Sequence, residues 1–193
     1  MTRQLVLATG NPGKLHELRD LLTGWEVLPK PDHLEIAETG ATFVENARLK
    51  ALGVAQATGA WAIGDDSGLE VLALGGQPGI YSARWGKNDQ ERMARLLQEM
   101  SGKTDRRARF VASIVLACPE GILCEAAGVC VGELLTMPRG TEGFGYDPIF
   151  YYPPLARTLA EMTLQEKQQI SHRGQALRQL LVHLQAALLE KML

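Results

Sequence analysis

The chain has 193 residues, of which 46% are hydrophobic and 22% charged, a composition typical of a soluble globular protein with one well-packed domain. Its net charge of −2 argues against non-specific nucleic-acid binding. The apolar run at residues 5–8 is too short for a signal-peptide core, and no stretch approaches a membrane span, so we expect a single domain over residues 1–193 that contacts neither nucleic acid nor a membrane.

The first predicted strand, residues 4–8, leads through a glycine-containing loop into a helix with leucines at helical spacing. Gly10 and Gly13 are able to take positive φ or let backbone amides approach a ligand closely. The amides of a helix start, together with the Lys14 ammonium, suit a phosphate. The run lacks the spacing of a Walker A loop, and a plain strand-to-helix turn with a solvated lysine remains the alternative. A second short strand is predicted at residues 25–28.

A long helix is predicted after Thr42, because Thr42 and Glu45 have the spacing of a capping box. The polar residues around the start and flank of this helix are Glu38, Glu45, Asn46 and Lys50. A solvated helix face is the simplest interpretation of such charges. These residues become functional candidates only if the helix lies across the cleft from Asp66.

Two adjacent carboxylates, Asp65 and Asp66, follow the apolar run at residues 61–64, which predicts a buried strand. We expect Ser67 and Gly68 to turn the chain away from this strand. Neighbours in a strand point to opposite faces, so one carboxylate can face a ligand while the other braces the backbone or a helix end. Open α/β sheets bind ligands at the carboxyl edges of their strands. A solvated surface turn is the alternative.

A helix is predicted at residues 88–100, and two β-rich runs at residues 107–118 and 122–132 predict an antiparallel hairpin that belongs to a smaller lobe. The cysteines lack metal-site spacing and are expected to be small apolar filler; they are Cys118, Cys124 and Cys130. An odd number of cysteines, without an export signal, indicates a reducing cytoplasm.

The glycine-rich loop at residues 140–148 carries two aromatic residues, Phe144 and Tyr146, followed by Asp147. Glycine offers no packing around an aromatic ring, so a stacking platform for a planar ligand is favoured over a structural turn. A short capped helix is predicted to end at Ile170, and the next four residues are expected to interrupt it.

The final helix is predicted from about residue 175, with an apolar side formed by Leu177, Leu180, Leu181, Leu184 and Leu188. His172 and Arg173 lie in the predicted interruption and offer several hydrogen-bond donors. Ser171 is also a plausible helix cap, so capping alone is the alternative for this stretch.

Six co-linear stretches closely resemble the inosine triphosphate pyrophosphatase family, also described as dITP/XTP pyrophosphatases. They are residues 9–14, 38–47, 65–68, 79–84, 143–148 and 171–174. The loop between Arg84 and Asn88 looks shorter than is usual in that family. The expected fold is α/β, with a central mixed β-sheet flanked by helices, a smaller lobe that contains the hairpin, and an active-site cleft between the lobes.

The resemblance implies hydrolysis of the non-standard purine nucleotides ITP, dITP and XTP to the monophosphate and pyrophosphate, which cleanses the nucleotide pool. It implies Mg²⁺ as cofactor, a homodimer, Asp66 as general base and metal ligand, and Glu38 as a second metal contact. The substrate-binding residues that it implies are Thr9, Gly10, Asn11, Pro12, Gly13, Lys14, Lys50, Ser67, Phe144, Gly145, Tyr146, Asp147, Lys167, His172 and Arg173.

Base selection would fall to the carboxyl-terminal motifs. Phe144 or Tyr146 would stack on the purine, while Asp147 and the His172–Arg173 pair would read its edge. Hypoxanthine and xanthine carry a 6-keto acceptor, whereas adenine presents a 6-amino donor that would face other donors. Two alternatives stay open: a sister pyrophosphatase for other modified nucleotides, and a non-catalytic binding module, which would not need Asp66.

Overall fold

The computed structural model describes residues 3–190 of the chain, with side chains described for residues 4–184. The described strands are β1 (Arg3–Leu7), β2 (Trp25–Pro29), β3 (Ala62–Val71), β4 (Arg107–Cys118), β5 (Gly121–Leu134), β6 (Phe150–Tyr152) and β7 (Arg157–Thr158). The described α-helices are α1 (Pro12–Leu21), α2 (Phe43–Thr58), α3 (Asp89–Glu99), α4 (Leu164–Ile170) and α5 (His172–Glu190).

The strands form one mixed sheet in the order β2-β1-β3-β4-β5-β6-β7. Strand β1 runs parallel to both β2 and β3, whereas β6 runs antiparallel to β5 and β7. The predicted α/β fold with a mixed sheet and flanking helices is therefore confirmed. None of the helices within residues 3–190 combines the length and the apolar character needed to cross a membrane.

The chain divides into two packing units, and three strands, β3, β4 and β5, contribute residues to both. Unit 1 comprises Met1–Asp66, Ala112–Gly128 and Arg173–Leu193, and unit 2 comprises Ser67–Val111 and Val129–His172. The expected single domain and the expected cleft both stay predictions.

In unit 1, strand β1 is buried on both faces. Leu5 and Leu7 pack in one apolar cluster with leucines of α1 and α5. Val6 and Ala8 pack in a second cluster with the alanines of α2. Because successive strand residues point to opposite faces, α1 and α5 cover one face of this part of the sheet and α2 covers the other.

Helix α2 lies directly against strand β3 at Gly64. A Cβ atom on Gly64 would lie 2.2 Å from the carbonyl oxygen of Ala47 and 2.7 Å from the amide nitrogen of Ala51. Both alanines are fully buried, so small residues on the helix and the strand allow two backbones to touch. This contact fixes the depth of α2 and hence the position of its polar residues.

Replacement of Gly64 with alanine should therefore destabilise the protein. The added methyl group meets backbone atoms that cannot rotate away, and overpacking of this kind costs about 1–3 kcal/mol. Denaturant unfolding of Gly64→Ala measures the loss. Gly10→Ala is the control for stability, because a Cβ atom there meets nothing within 4 Å. Equal stability of Gly64→Ala and the wild type would contradict the close contact.

Unit 2 has its own apolar core. Leu69 and Val71 from β3 pack with Leu96 from α3, with Met100, which directly follows α3, and with Phe150 from β6. Cys130 is buried in the same cluster. Cys118 and Cys124, in unit 1, are half-buried, and all three cysteines are free thiols, as expected for apolar filler.

Helix boundaries set by side-chain caps were predicted well. The predicted capping box of α2 is present, and Asn88 caps α3 by accepting a hydrogen bond from the Glu91 amide. The predicted capping box of α4 is also present, at Thr163. These ends were predictable because the capping groups are local in sequence.

Two predicted interruptions are wrong. Strand β3 continues from Ala62 to Val71, so Ser67 and Gly68 do not turn the chain. The strand persists because Leu69 and Val71 continue its burial pattern. Helix α5 begins at His172 rather than near residue 175, and only an extended Ser171 separates it from α4.

Two short strands, β6 and β7, were not predicted from the sequence, because neither is long enough to show a period of two. On α5, the predicted apolar side is buried at Leu177, Leu180 and Leu184. Leu188, predicted on the same side, lies outside the residues whose side chains the structure describes.

Candidate functional site

The loop after β1 is short, because α1 begins at Pro12. The Thr9 hydroxyl accepts a hydrogen bond from the Asn11 amide at 3.1 Å, and the Asn11 side chain accepts one from the Lys14 amide at 3.1 Å. Neither Gly10 nor Gly13 has a positive φ. The predicted phosphate loop is thus the capped first turn of a helix, with Lys14 in that turn.

Lys14 belongs to a group of four charged side chains in unit 1. Its Nζ lies 3.0 Å from Asp65 Oδ2, and Arg173 Nε donates to the same oxygen at 3.1 Å. Arg173 also donates through Nη1 to Glu17 Oε2. Asp65, Arg173 and Glu17 are all less than 5% exposed. The group contains two cations and two anions, so its burial leaves no net charge.

The charges in this group shift the pKa values of its members. Burial raises the pKa of Asp65, but the Lys14 ammonium and the Arg173 guanidinium outweigh burial and hold that pKa well below its usual range. Burial lowers the pKa of Lys14, and Asp65 opposes that change. Asp65 therefore stays ionised and keeps the Lys14 ammonium in place.

Asp66 points to the other face of β3, towards α2. Lys50 Nζ lies 2.7 Å from Asp66 Oδ1 and 3.2 Å from Glu38 Oε1. Asn46 Nδ2 donates to Asp66 Oδ2 at 3.4 Å, and its own Oδ1 accepts from the Gly40 amide at 2.8 Å. Burial raises the pKa of Asp66, although Lys50 opposes that rise. Asp66 is thus a buried carboxyl group with a raised proton affinity.

Asp66 and Glu38 are the residues that fit a divalent cation. Both carboxylates contact the same ammonium, so their oxygens face a common position that already attracts positive charge. Within the described part of the chain, no group of three or more His, Cys, Asp or Glu side chains is placed to hold a metal. Two hard oxygen donors suit Mg²⁺, which is commonly bound by one or two carboxylates and completed by substrate phosphates and water.

A second set of predicted residues comes together in unit 2. Asp147 Oδ2 accepts a hydrogen bond from the Phe144 amide at 2.8 Å and lies 2.5 Å from Lys167 Nζ. The side chains of Asp147 and Lys167 are both 4% exposed. Lys167 Nζ also lies 4.9 Å from the centre of the Phe144 ring. A buried ammonium is therefore placed beside a partly exposed aromatic ring.

The two aromatic residues of this loop differ in their surroundings. Tyr146 is 4% exposed, packs in the core of unit 2 and donates its hydroxyl hydrogen to the Ser82 carbonyl at 3.0 Å. Phe144 is only half-buried. Of the two stacking candidates, the geometry favours Phe144. His172 is buried, and its ring lies parallel to that of Phe110 at 4.8 Å.

The remaining predicted residues, Ser67, His172 and Arg173, are divided between the two units. Ser67 is half-buried on β3 and is the first residue of unit 2. His172 belongs to unit 2, whereas the neighbouring Arg173 belongs to unit 1 and binds two carboxylates there. The expectation that His172 and Arg173 read a base edge together stays a prediction.

The sequence assigned no role to Glu17 and made Asn46 a candidate only on the condition that α2 lies across the cleft from Asp66. Glu17 is a buried acid on α1, and the Arg173 guanidinium, which binds it, comes from a distant part of the sequence. Asn46 precedes Ala47, which packs on β3, so its position on α2 could have suggested proximity to Asp66. The two aspartates point to opposite faces of β3, as predicted: Asp65 braces helices α1 and α5, and Asp66 faces α2. That Asp66 faces a ligand stays a prediction.

Comparison with known proteins gives a consistent result. The model of the Ham1 family matches residues 5–183. A dITP/XTP pyrophosphatase from Gloeobacter violaceus is 56% identical over 183 residues, covering 94% of each chain, and one from Nostoc sp. is 53% identical over 191 residues, covering 97% of each. A solved structure, the Ham1 protein of Staphylococcus aureus, is 39% identical with a TM-score of 0.85, covering 95% of this chain and 99% of the other. A HAM1 protein from Coxiella burnetii is 43% identical with the same TM-score and the same coverage.

Proposed function

The chain belongs to the Ham1 family, and from that membership we propose that it hydrolyses ITP, dITP and XTP to the monophosphate and pyrophosphate, which removes these non-standard nucleotides from the nucleotide pool. Relatives named dITP/XTP pyrophosphatase support the general activity, hydrolysis of nucleoside triphosphates. The observation that carries the proposal is the buried Asp66 carboxylate, held between Lys50 and Asn46 on the strand that also carries the partner of Lys14.

The triphosphate would be held by groups of unit 1. Lys14 and Lys50 supply two ammonium charges, one on each face of β3, and the first turn of α1 supplies backbone amides. Each lysine is held in place by an aspartate of β3 before substrate arrives. Phosphoryl transfer depends mostly on such positioning and charge stabilisation.

Asp66 would act as general base. A water oxygen forms a bond to the α-phosphorus, the bridging bond to the β-phosphate breaks, and pyrophosphate leaves with the electron pair of that bond. The proton of the water passes to the Asp66 carboxylate. Burial favours this step because it raises the pKa of Asp66 and so increases its affinity for the proton. Asp66 and Glu38 would hold Mg²⁺, which supplies charge neutralisation at the phosphates when bound.

The base would be read by groups of unit 2. The half-buried Phe144 ring offers a stacking surface, and Lys167, fixed by Asp147, offers a donor beside that ring. A donor suits the 6-keto oxygen of hypoxanthine or xanthine and disfavours the 6-amino group of adenine. The family resemblance also assigns base reading to His172 and to Arg173, whose guanidinium binds Asp65 and Glu17 in unit 1.

A substrate panel tests this function. Pyrophosphate release is measured with a coupled pyrophosphatase and a phosphate dye, for ITP, XTP, dITP, GTP and ATP, with and without Mg²⁺. We expect kcat/KM for ITP to exceed that for ATP by at least about 100-fold, because unmatched donors at a binding site are strongly rejected. Turnover should require the metal ion. Equal turnover of ATP and ITP would overturn the selectivity, and nucleotide binding without any turnover would indicate a binding module.

A homodimer and a cytoplasmic location complete the proposal. The family relationship suggests the homodimer, and the three free cysteines suit a reducing compartment. The mass in solution, measured by light scattering, distinguishes a dimer from a monomer.

A further inference from the structure

The loop that carries Phe144 (residues 143–147, the Phe144 loop) is held by groups from distant parts of unit 2. Gly143 and Gly145 have φ angles of 76° and 67°, values that favour glycine and allow the sharp path of the loop. Tyr146 anchors the loop in the core, and Asp147 holds the Phe144 amide. The Asp147 amide also donates to the Phe144 carbonyl at 3.3 Å, so the carbonyl side of the peptide that joins Phe144 to Gly145 is held within the loop. The amide side of the same peptide, the Gly145 N–H, is bound from outside the loop.

That peptide is held by Asp89, the first residue of α3. Asp89 Oδ2 accepts a hydrogen bond from the Gly145 amide at 2.7 Å, across 56 residues of sequence. Its other oxygen, Oδ1, accepts from Arg92 Nη1 at 2.6 Å. Arg92 in turn donates through Nε to the Gly86 carbonyl at 3.2 Å, so the carboxylate is held in a fixed orientation. A hydrogen bond from an amide to a carboxylate is stronger than one between neutral groups.

The backbone of Phe144 is therefore fixed on both sides. The Phe144 amide, before the Cα atom of Phe144, donates a hydrogen bond to Asp147. The Gly145 amide, after the Phe144 carbonyl, donates one to Asp89. The Phe144 side chain leaves the Cα atom between these two amides, so loss of the Asp89 bond removes one of the contacts that hold the ring in its position beside Lys167. Asp147 is already part of the proposed base-reading set, whereas Asp89 lies outside every stretch on which the family resemblance depends.

We propose that Asp89 is a positioning residue for base recognition, which holds the Phe144 ring in place through the Gly145 amide without touching the substrate itself. This inference rests on the proposed function, in which Phe144 stacks on the purine. The role is specific to the base, because the hydrogen bonds of Asp89 within the described residues go to Arg92 and Gly145 of unit 2 and not to the residues proposed to hold the phosphates.

Amide hydrogen exchange tests the mechanical part of the proposal independently of any ligand. In Asp89→Ala, exchange of a peptide that covers residues 143–148 should become about tenfold faster, because the Gly145 amide loses its acceptor. The fold should persist, since Asn88 still caps α3 and Leu96 remains buried. Glu91→Ala is the matched control, because Glu91 lies in the same helical turn and its carboxylate binds the Lys87 amide instead. Unchanged exchange in Asp89→Ala would overturn the proposal.

Calorimetric binding of the two reaction products tests the functional part. Asp89→Ala should weaken binding of inosine monophosphate about tenfold while changing binding of pyrophosphate less than twofold. Asp89→Asn keeps an acceptor oxygen and should recover part of the loss. Unchanged binding of inosine monophosphate to Asp89→Ala would overturn the proposed role of Asp89 but not the proposed function. A wild-type protein that binds neither product would overturn the proposed function, and this inference with it.

Discussion

Asp66→Asn is expected to lower kcat for ITP by about 10²–10⁴-fold, the usual contribution of a general base. Asparagine keeps the shape of the side chain but cannot accept the proton of the attacking water. The fold should remain intact, because burial raises the pKa of Asp66 and the folded state therefore favours a neutral group at this position. Steady-state kinetics with ITP measure kcat, and thermal unfolding measures the stability.

A binding measurement distinguishes loss of the general base from loss of the nucleotide-binding site. Asp66→Asn should bind inosine monophosphate with an affinity close to that of the wild type. Asp105→Asn is the matched control, since Asp105 is a partly exposed acid that pairs with Arg107. Its kcat should equal that of the wild type. Full turnover in Asp66→Asn would assign the base to another residue and would remove the central observation of the proposal.

The same substitution at the preceding residue, Asp65, should lower the stability of the fold, which Asp66→Asn is expected to leave intact. Asp65→Asn is expected to destabilise the protein by about 3–5 kcal/mol, the cost of removing one partner from a buried ion pair. The half-buried Lys14 and the buried Arg173 would then lose the carboxylate that they share. For a chain of this size the loss corresponds to a fall in Tm of about 6–20 °C. Calorimetry and denaturant unfolding both measure it.

Two further measurements connect this loss to the buried charge. Adding Lys14→Met to Asp65→Asn restores the balance of charge and keeps the Arg173–Glu17 pair, so the double variant should recover part of the stability. The lowered pKa of Asp65 means that its ionised form stabilises the folded state fully above the ordinary pKa of about 3.9 and loses that effect as the pH falls. The difference between wild type and Asp65→Asn should therefore narrow below about pH 4. A difference that stays constant with pH would contradict the ionic explanation.

Much of the fold was predictable because its signals are local. Capping groups lie within three residues of the amides that they bind, so the starts of α2, α3 and α4 were visible in the sequence. The buried strands and the leucines of α5 were visible through their periods.

The path of β3 was not predictable by the same means. A buried strand is expected to be apolar, so two adjacent acids argue against one at this point of the sequence. Their burial is explained only when their cationic partners are known. Lys14 and Arg173 lie 51 and 108 residues from Asp65, and no period in the sequence connects them. The motifs of the candidate site were therefore predictable through the family resemblance. The individual contacts between their side chains were not. Asp89 shows the same limit, since its partner Gly145 is 56 residues away.

The position of Arg173 in the chain has a consequence for biosynthesis. A polypeptide leaves the ribosome amino terminus first, and Glu17 and Asp65 are made 156 and 108 residues before the guanidinium that binds them. At about 5–20 residues per second this delay is on the order of ten seconds. Until α5 has been translated, Glu17 and Asp65 both lack the guanidinium that binds them in the folded protein, which raises the cost of burying them. The complete charge group of unit 1 therefore forms only after unit 2 has been made.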